Sequence, residues 1–159
     1  MQIVDTARAI ALEAHAGTVN KHDGELYLLH VDRVAVGSRS QAYAFSLAPD
    51  LCEAVGWLHD VVEDTAWSVS DIKTRLTNAG CRNHEVDTVI LAVATITKPR
   101  GGGFTLEEYY ERLQLDPIAQ AVKMADLLDN FSRNHKIEDE AKRLRMAKKY
   151  SLGMEMLKP

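Results

Sequence analysis

The sequence predicts an all-α fold, and three observations support this prediction. Apolar residues recur at helical spacing almost throughout the chain, as at Ile3, Ala7, Ile10 and Ala14. Capping signals, in which Ser, Thr or Asp stands three residues before an acidic partner, recur along the chain. No segment shows the apolar-polar alternation of a half-buried strand. The 159 residues are therefore expected to form one domain of about seven or eight helices.

The first two helices are predicted from periodicity and from the loop between them. The first helix covers roughly residues 2–16, where the apolar residues share one face. The loop that follows is marked by Gly17, Asn20, Asp23 and Gly24. A short second helix should begin near His30, with Val31, Val34 and Ala35 on one side.

Capping pairs place three more helices. These pairs are Asp50 with Glu53, Ser68 with Asp71, and Thr105 with Glu108. They predict helices over roughly 51–64, 69–79 and 106–115, in that order. Gly80 should end the second of these three helices.

The remaining helices are predicted from apolar runs and proline. An apolar helix covers roughly 84–97 and ends at Lys98-Pro99, before the flexible stretch RGGG. Asp116 is an N-cap followed by Pro117 at the first helical position, which predicts a helix through about residue 133. The last helix covers roughly 138–157 and should pack on the rest of the domain.

The composition is that of a globular protein, with 46% hydrophobic and 26% charged residues. A net charge of −4 argues against a general nucleic-acid binder. The N-terminal stretch has charged residues where a signal peptide would be apolar, and no apolar run is long enough to span a bilayer. Cys52 and Cys81 form no CxxC pair, which favours buried thiols in a reducing cytoplasm over a disulfide or a metal set.

The segment AVGWLHDVVEDT, residues 54–65, holds four ionisable side chains in an apolar helix. Burying such groups without partners costs several kcal/mol, so something should compensate them. His59 and Asp60 lie about 100° apart around the helix axis and could bind one metal ion together. A His-Asp pair alone is a weak signal, and Glu63 and Asp64 could equally form the solvated end of the helix.

Two further residues strengthen the hypothesis of a metal site. His30 opens the second predicted helix, and Asp126 is surrounded by apolar residues in AQAVKMADLLDNFSR. Together with His59 and Asp60 they would supply two imidazoles and two carboxylates. This set suits a six-coordinate divalent ion such as Mn²⁺ or Fe²⁺, with water at the open positions.

His30, His59-Asp60 and Asp126, in this order on a helical chain, resemble the HD phosphohydrolase superfamily. The strings AHAGTVNKHDGELYLLHVDRVA, GWLHDVVEDT, VATITK and VKMADLLDN resemble the hydrolase domain of RelA/SpoT proteins and their small stand-alone relatives, among them the metazoan SpoT homologs. The resemblance covers roughly residues 5–134 and is strongest in the patterns HDxxED and KxADxxxN. It implies a single HD-domain helical bundle over residues 1–159.

The resemblance also implies roles for individual residues. The four metal ligands would be His30, His59, Asp60 and Asp126, with Mn²⁺ the usual ion, although such a site also accepts Fe²⁺, Co²⁺ or Zn²⁺. Glu63 and Asp64 match the acidic pair that positions or deprotonates the attacking water. The residues matched to substrate binding are Lys21 near the nucleotide, Lys98 near the phosphates and Asn130 near the sugar.

The sequence departs from the family pattern at the substrate positions. Asn20 stands where the family commonly has an arginine that packs on guanine. In ADLLDN, Leu127 replaces a basic residue, and Asp129 replaces a histidine or tyrosine. These departures leave open a substrate other than the guanosine alarmones, while the phosphohydrolase chemistry need not differ.

The last helix and His15 have two interpretations each. The basic run KRLRMAKKY is either a solvated face or a source of cations that, with Tyr150 as a stacking surface, close over nucleotide phosphates. His15 is either a support for the metal site or a hydrogen-bonded core histidine. Solvent exposure is expected for His22, His84 and His135.

The leading functional prediction is a metal-dependent phosphohydrolase that removes a 3′-pyrophosphate from a ppGpp-like nucleotide. One alternative is another HD phosphatase, acting on nucleoside mono- or triphosphates. A second alternative is a non-catalytic nucleotide-binding module. The predicted partner is a small-molecule nucleotide, with neither nucleic acid nor membrane, and the sequence indicates no particular oligomer.

Overall fold

The computed structural model describes residues 1–159 and contains helices only, apart from an isolated antiparallel bridge between Val19 and Leu26. The helices are α1 (Gln2–Ala14), α2 (Tyr27–Ala44), α3 (Pro49–Leu58), α4 (Val61–Asp64), α5 (Val69–Asn78), α6 (Asn83–Ile96), α7 (Leu106–Leu113), α8 (Pro117–Ser132) and α9 (Glu140–Met156). A 3₁₀ turn at Asn134–Lys136 connects the last two. Since α4 is a single turn, the bundle has eight longer helices, and the predicted all-α class is confirmed.

Three of the predicted helix starts are confirmed in atomic detail. Ser68 with Asp71 and Thr105 with Glu108 form reciprocal capping boxes at the starts of α5 and α7. Asp116 accepts hydrogen bonds from the first backbone N–H groups of α8, and the proline after it occupies the first turn. These starts depend on groups within three residues of one another, so sequence alone determines them.

The predicted cap at Asp50 is wrong. Helix α3 begins at Pro49, and Ala48 before it makes no side-chain cap. Asp50 and Glu53 instead pair with Arg39 of α2. A proline suits the first turn of a helix because it has no N–H to satisfy. Asp50 and Glu53 do not cap α3 because both carboxylates form ion pairs with Arg39.

Helix α2 is longer than predicted and begins at Tyr27, three residues before His30. Its second half is rich in Gly and Ser, which weakens both helix propensity and apolar periodicity. Small residues there allow close packing: Gly37 lies against Ala125 of α8, and Ser38 and Ala35 lie against Gly56 of α3. Tertiary packing therefore stabilises a helix that propensity does not predict.

The continuous helix predicted over 51–64 is interrupted. Asp60 has φ −110° and ψ −1°, well away from ideal helical values, and separates α3 from the single turn α4. The interruption falls at the two residues, His59 and Asp60, that the sequence suggests as metal ligands. It places both side chains at the end of a buried helix rather than along its surface.

Helix α3 is at the centre of the bundle and packs against α1, α2, α6 and α8. Residues 54–58 are all buried, so the helix has no polar face at its C-terminal end. Cys52 and Cys81 are free buried thiols, as predicted. Helix α9 packs on α8 and α7. No helix combines the length and apolar character needed to cross a membrane.

The crossing of α2 and α3 gives a test of the fold. A methyl group on Gly56 would lie 2.7 Å from the Cα of Ala35 and 2.8 Å from the Oγ of Ser38. Gly56→Ala should lower the free energy of unfolding by about 1–3 kcal/mol, because backbone atoms cannot yield and overpacking outweighs the gain in helix propensity.

Urea denaturation followed by circular dichroism measures this change. Ser40→Ala, on the exposed face of α2, is the matched control and should stay within about 0.5 kcal/mol of the wild type. A Gly56→Ala variant as stable as the wild type would contradict the close approach of the two helices.

Candidate active site

The four predicted metal ligands come together at the centre of the bundle. His30 lies in the first turn of α2, His59 and Asp60 lie at the α3–α4 junction, and Asp126 lies in α8. One ligand atom from each side chain lies within 4.8 Å of all the others. His30, His59 and Asp126 are 2–4% exposed. Three separate parts of the chain thus form one buried cluster.

The donor atoms of the cluster face one another. Nε2 of His30 is 3.2 Å from Oδ1 of Asp126 and 3.9 Å from Oδ2 of Asp60. Nε2 of His59 is 2.9 Å from Oδ2 of Asp60 and 3.6 Å from Oδ1 of Asp126. The His59 nitrogen nevertheless makes no hydrogen bond of acceptable geometry, which is costly for a buried polar atom.

This arrangement fits a divalent cation. A cation would engage the unpaired imidazole nitrogen of His59 and neutralise the buried carboxylates of Asp60 and Asp126. Two imidazoles with two carboxylates suit a borderline transition metal. The residues present therefore meet the requirements of the ion that the sequence pattern suggested.

Charge within the cluster is balanced by protons when no cation is bound. Burial lowers the pKa of His30, but hydrogen bonds to Asp126 and Asp129 raise it to about 9. Burial also opposes ionisation of Asp126, yet Lys123 and the two histidines hold the pKa of this carboxyl well below its usual range. A metal needs neutral imidazole, so its binding should displace protons from the histidines.

Three of the predicted ligands are held by neighbouring groups. Nδ1 of His59 donates to the backbone oxygen of Gly56 over 2.8 Å. Asp126 accepts from Nζ of Lys123 at 2.7 Å and from Nδ2 of Asn130 at 3.0 Å. The hydroxyl of Tyr27 donates to Asp60.

Sequence reasoning missed two of these supports, Tyr27 and Lys123. Lys123 stands three residues before Asp126, and this spacing on a helix is a signal that could have identified it. Tyr27 carries no such signal, because its partner Asp60 lies 33 positions away.

A cavity of about 370 Å³ opens above the cluster. His30, Asp60 and Asp126 form part of its wall, while His59 lies behind them. The wall also includes every predicted substrate-binding residue, namely Asn20, Lys21, Lys98, Asn130 and Tyr150. The structure thus brings the predicted residues to one site, while their individual roles stay predictions.

The two acidic residues predicted to act on water both line this cavity but differ in their contacts. Oε1 of Glu63 accepts from the backbone N–H of Lys98 over 2.6 Å. Asp64 has only a 3.3 Å hydrogen bond from Tyr27. Partial burial, together with repulsion from Asp60 and Glu63, raises the pKa of the Asp64 carboxyl to about 6. Asp64 therefore combines a raised pKa with the weaker hydrogen bond of the two carboxylates.

Three lysines approach one side of the cavity. Lys98 and Lys123 lie 5.4 Å and 5.8 Å from the ring centre of Tyr109, and Lys149 comes from α9. Burial and the neighbouring lysines lower the pKa values of Lys98 and Lys149. Such mutual repulsion favours an anionic ligand. Of the basic run on the last helix, Lys149 is the cation that lines the cavity, and the buried Tyr150 lies beside it.

The other histidines differ in their surroundings. His15 is buried, its two ring nitrogens have no hydrogen-bond partner, and its ring centre lies 5.1 Å from that of Tyr27. His15 is therefore a core residue, as one interpretation held, but no protein group hydrogen-bonds to its ring, which packs against Tyr27 of the site. The histidines predicted to be exposed are so, namely His22, His84 and His135. His22 also lines the cavity.

The helical bundle with a His-His-Asp-Asp cluster at its centre matches the HD-domain fold that the sequence pattern suggested. A solved structure with this fold is that of a metazoan ortholog of SpoT that hydrolyses ppGpp and plays a role in starvation responses. The two chains superpose with a TM-score of 0.68 at 20% sequence identity, over 98% of this chain and 93% of the other. No protein-family model matches the sequence, and no curated protein matches it significantly. The predicted resemblance in fold is confirmed.

Removal of one ligand gives a test of the metal site. Metal-stripped protein should bind about one Mn²⁺ per chain, and His59→Ala should abolish that binding, because the cation loses a buried donor that no other group replaces. Isothermal titration calorimetry measures both proteins. His22→Ala, which changes an imidazole on the cavity wall outside the cluster, should bind Mn²⁺ as the wild type does. Undiminished affinity in His59→Ala would contradict its assignment as a ligand.

Proposed function

We propose that this chain is a metal-dependent nucleotide phosphohydrolase that removes the 3′-pyrophosphate from a ppGpp-like compound, with Mn²⁺ as its cation. The observation that carries the proposal is the four-donor cluster beside a cavity that is also lined by the carboxylates of Glu63 and Asp64 and by lysines. The shared fold with a ppGpp-hydrolysing protein supports it.

A cation held by His30, His59, Asp60 and Asp126 would polarise a phosphate oxygen and lower the pKa of a bound water. Asp64 is positioned to take the proton of the attacking water, since it lines the cavity and its pKa is raised. Glu63 would orient that water from a position fixed by the Lys98 backbone N–H.

Lysines would offset the charge that develops on the phosphates. Lys98 and Lys149 form no ion pair with a protein carboxylate, so both ammonium groups are available to a ligand. Lys123 is already paired with Asp126 and instead holds that ligand in place. Lys149 would therefore bind phosphate together with Lys98.

The nucleotide would contact residues on the loop before α2 and on α8 and α9. Lys21 extends from the loop, Tyr150 offers a ring from α9, and Asn130 presents its amide from α8. The amide nitrogen of Asn130 already donates to Asp126, so this residue would link the metal ligand to the sugar.

A second candidate is a related HD phosphatase acting on nucleoside mono- or triphosphates. It is favoured by the side chain of Asn20, which accepts a hydrogen bond from the backbone N–H of His22 and so stabilises its own loop. Asn20 itself supplies no cation to pack on a guanine base. Leu127, in place of a basic residue, adds an apolar group to the cavity wall. A non-catalytic binding module is disfavoured because the complete donor set has no role in it.

Hydrolysis of ppGpp tests the proposal directly. With Mn²⁺ the purified protein should release pyrophosphate from ppGpp, and Asp60→Ala should lose nearly all of this activity, because a ligand and the partner of Tyr27 are removed together. Ser40→Ala is the control for an unrelated surface change. A panel of nucleoside mono- and triphosphates in the same assay separates the two enzymatic candidates. Tight binding of ppGpp without turnover would instead support the non-catalytic module.

The role of Asp64 predicts a pH dependence. A protonated carboxyl cannot accept a proton, so the rate should fall as the pH is lowered through about 6, where Asp64 titrates. Asp64→Asn should reduce kcat by about 100-fold or more and remove this acidic limb. Initial rates between mildly acidic and neutral pH measure both effects. If Asp64→Asn keeps the acidic limb of the pH profile, the general base is a group other than Asp64.

A further inference from the structure

Asp129 contacts a metal ligand rather than the substrate cavity. It lies on α8 nearly one turn after Asp126, and its Oδ2 accepts from Nδ1 of His30 at 2.7 Å. Arg33 donates to the same carboxylate from two nitrogens, with Nε 2.6 Å from Oδ1 and Nη2 3.2 Å from Oδ2. The Asp129 side chain is only 10% exposed, so this interaction is shielded from solvent.

The contact determines how His30 faces the cluster. When Nδ1 donates to Asp129, the lone pair of Nε2 is directed at Asp126 and Asp60. His59 is oriented in the same way, but by the backbone oxygen of Gly56. A backbone carbonyl inside a helix is rigid, whereas the orientation of His30 depends on two side chains from different helices.

Arg33 continues this contact towards the substrate loop. Its remaining donors bind Glu25, with Nη1 3.2 Å from Oε1 and Nη2 3.0 Å from Oε2. Glu25 also pairs with Arg133, which in turn pairs with Asp23. The backbone oxygen of Glu25 accepts from the N–H of Asn20 at 2.7 Å. An unbroken series of ion pairs thus joins His30 to the loop over residues 18–26.

We propose that Asp129 and Arg33 form a positioning pair that orients His30 for a divalent cation, and that Glu25 and Arg133 make this orientation depend on the loop that carries Asn20 and Lys21. The inference rests on the metal site of the proposed function, but not on the identity of its substrate. Removing Asp129 takes away the acceptor of Nδ1 of His30, and removing Arg33 leaves the shielded carboxylate of Asp129 with His30 as its charged partner, so both changes should reach the metal site.

Metal affinity tests the positioning pair without any measurement of hydrolysis. In metal-stripped protein, Asp129→Ala should weaken Mn²⁺ binding by about 10–100-fold in isothermal titration calorimetry. Asp129→Asn retains the shape and an acceptor for His30, so it should show a smaller loss of roughly 10-fold and serves if the alanine variant fails to fold. Asp50→Ala breaks a comparable pair with Arg39 away from the cavity and should bind Mn²⁺ as the wild type does.

A spectroscopic measurement separates positioning from general destabilisation. The visible spectrum of bound Co²⁺ reports the geometry of its ligands, and Asp129→Ala should change that spectrum whereas Asp50→Ala should not. Unchanged affinity and an unchanged spectrum in both Asp129 variants would overturn the positioning role. A lower melting temperature with unchanged metal binding would also overturn it.

A double-mutant cycle tests the link to the loop. Arg133→Gln removes the contacts to Asp23 and Glu25 without touching His30 or Asp129, and should weaken Mn²⁺ binding several-fold. If the loop acts through Arg33 and Asp129, the double variant with Asp129→Ala should bind only slightly more weakly than Asp129→Ala alone. Fully additive losses would overturn the link.

Measurements of Mn²⁺ affinity and of ppGpp hydrolysis together separate this inference from the proposed function. Mn²⁺ affinity that depends on Asp129, in a protein that hydrolyses no ppGpp, would refute the proposed substrate and support the positioning pair. Hydrolysis of ppGpp with Mn²⁺ affinity independent of Asp129 would support the proposed substrate and refute the positioning pair. A wild-type chain that binds no divalent cation would refute both.

Discussion

The structure is organised around the compensation of buried charge. One ligand atom from each of two imidazoles and two carboxylates lies within 4.8 Å of the others, beside the C-terminal end of α3, which has no polar face. An isolated ion in such surroundings costs several kcal/mol even after relaxation. The bundle meets this cost with Lys123 and Asn130 on Asp126, Tyr27 on Asp60 and Asp129 on His30. The orphaned nitrogen of His59 is the part of the cluster that protein groups leave unsatisfied, and a cation would satisfy it.

Three of the groups that compensate the cluster, Tyr27, Lys123 and Asn130, also line the cavity. Tyr27 bridges Asp60 to Asp64, and Asn130 donates to Asp126 while lining the cavity. The structural and functional roles of these side chains therefore cannot be separated by simple deletion. The residues around the four donors set the charge and direction of each donor.

Local signals in the sequence predicted much of this molecule. The capping boxes at Ser68 and Thr105 and the start of α8 at Asp116 were predicted correctly, because each involves neighbours within three residues. Errors arose where distant partners compete with local preference. Asp50 pairs with Arg39 instead of capping α3, and the polar half of α2 is helical because it packs on α3 and α8. The break at Asp60 likewise has no local signal in an otherwise apolar helical run.

The sequence by itself determined the helical class, since periodicity is a local property, and it suggested the residue types at the site through the HDxxED pattern and the resemblance to HD phosphohydrolases. Only the tertiary structure decided which groups hold the ligands in place. Asp129 shows the difference: in the sequence it was a departure at a substrate position, and in the fold it contacts His30, 99 positions away. Arg33, which holds Asp129 in turn, is 96 positions away from it. The partner of a buried charge is the group that packing brings within a few ångströms, and no local pattern in the chain encodes that choice.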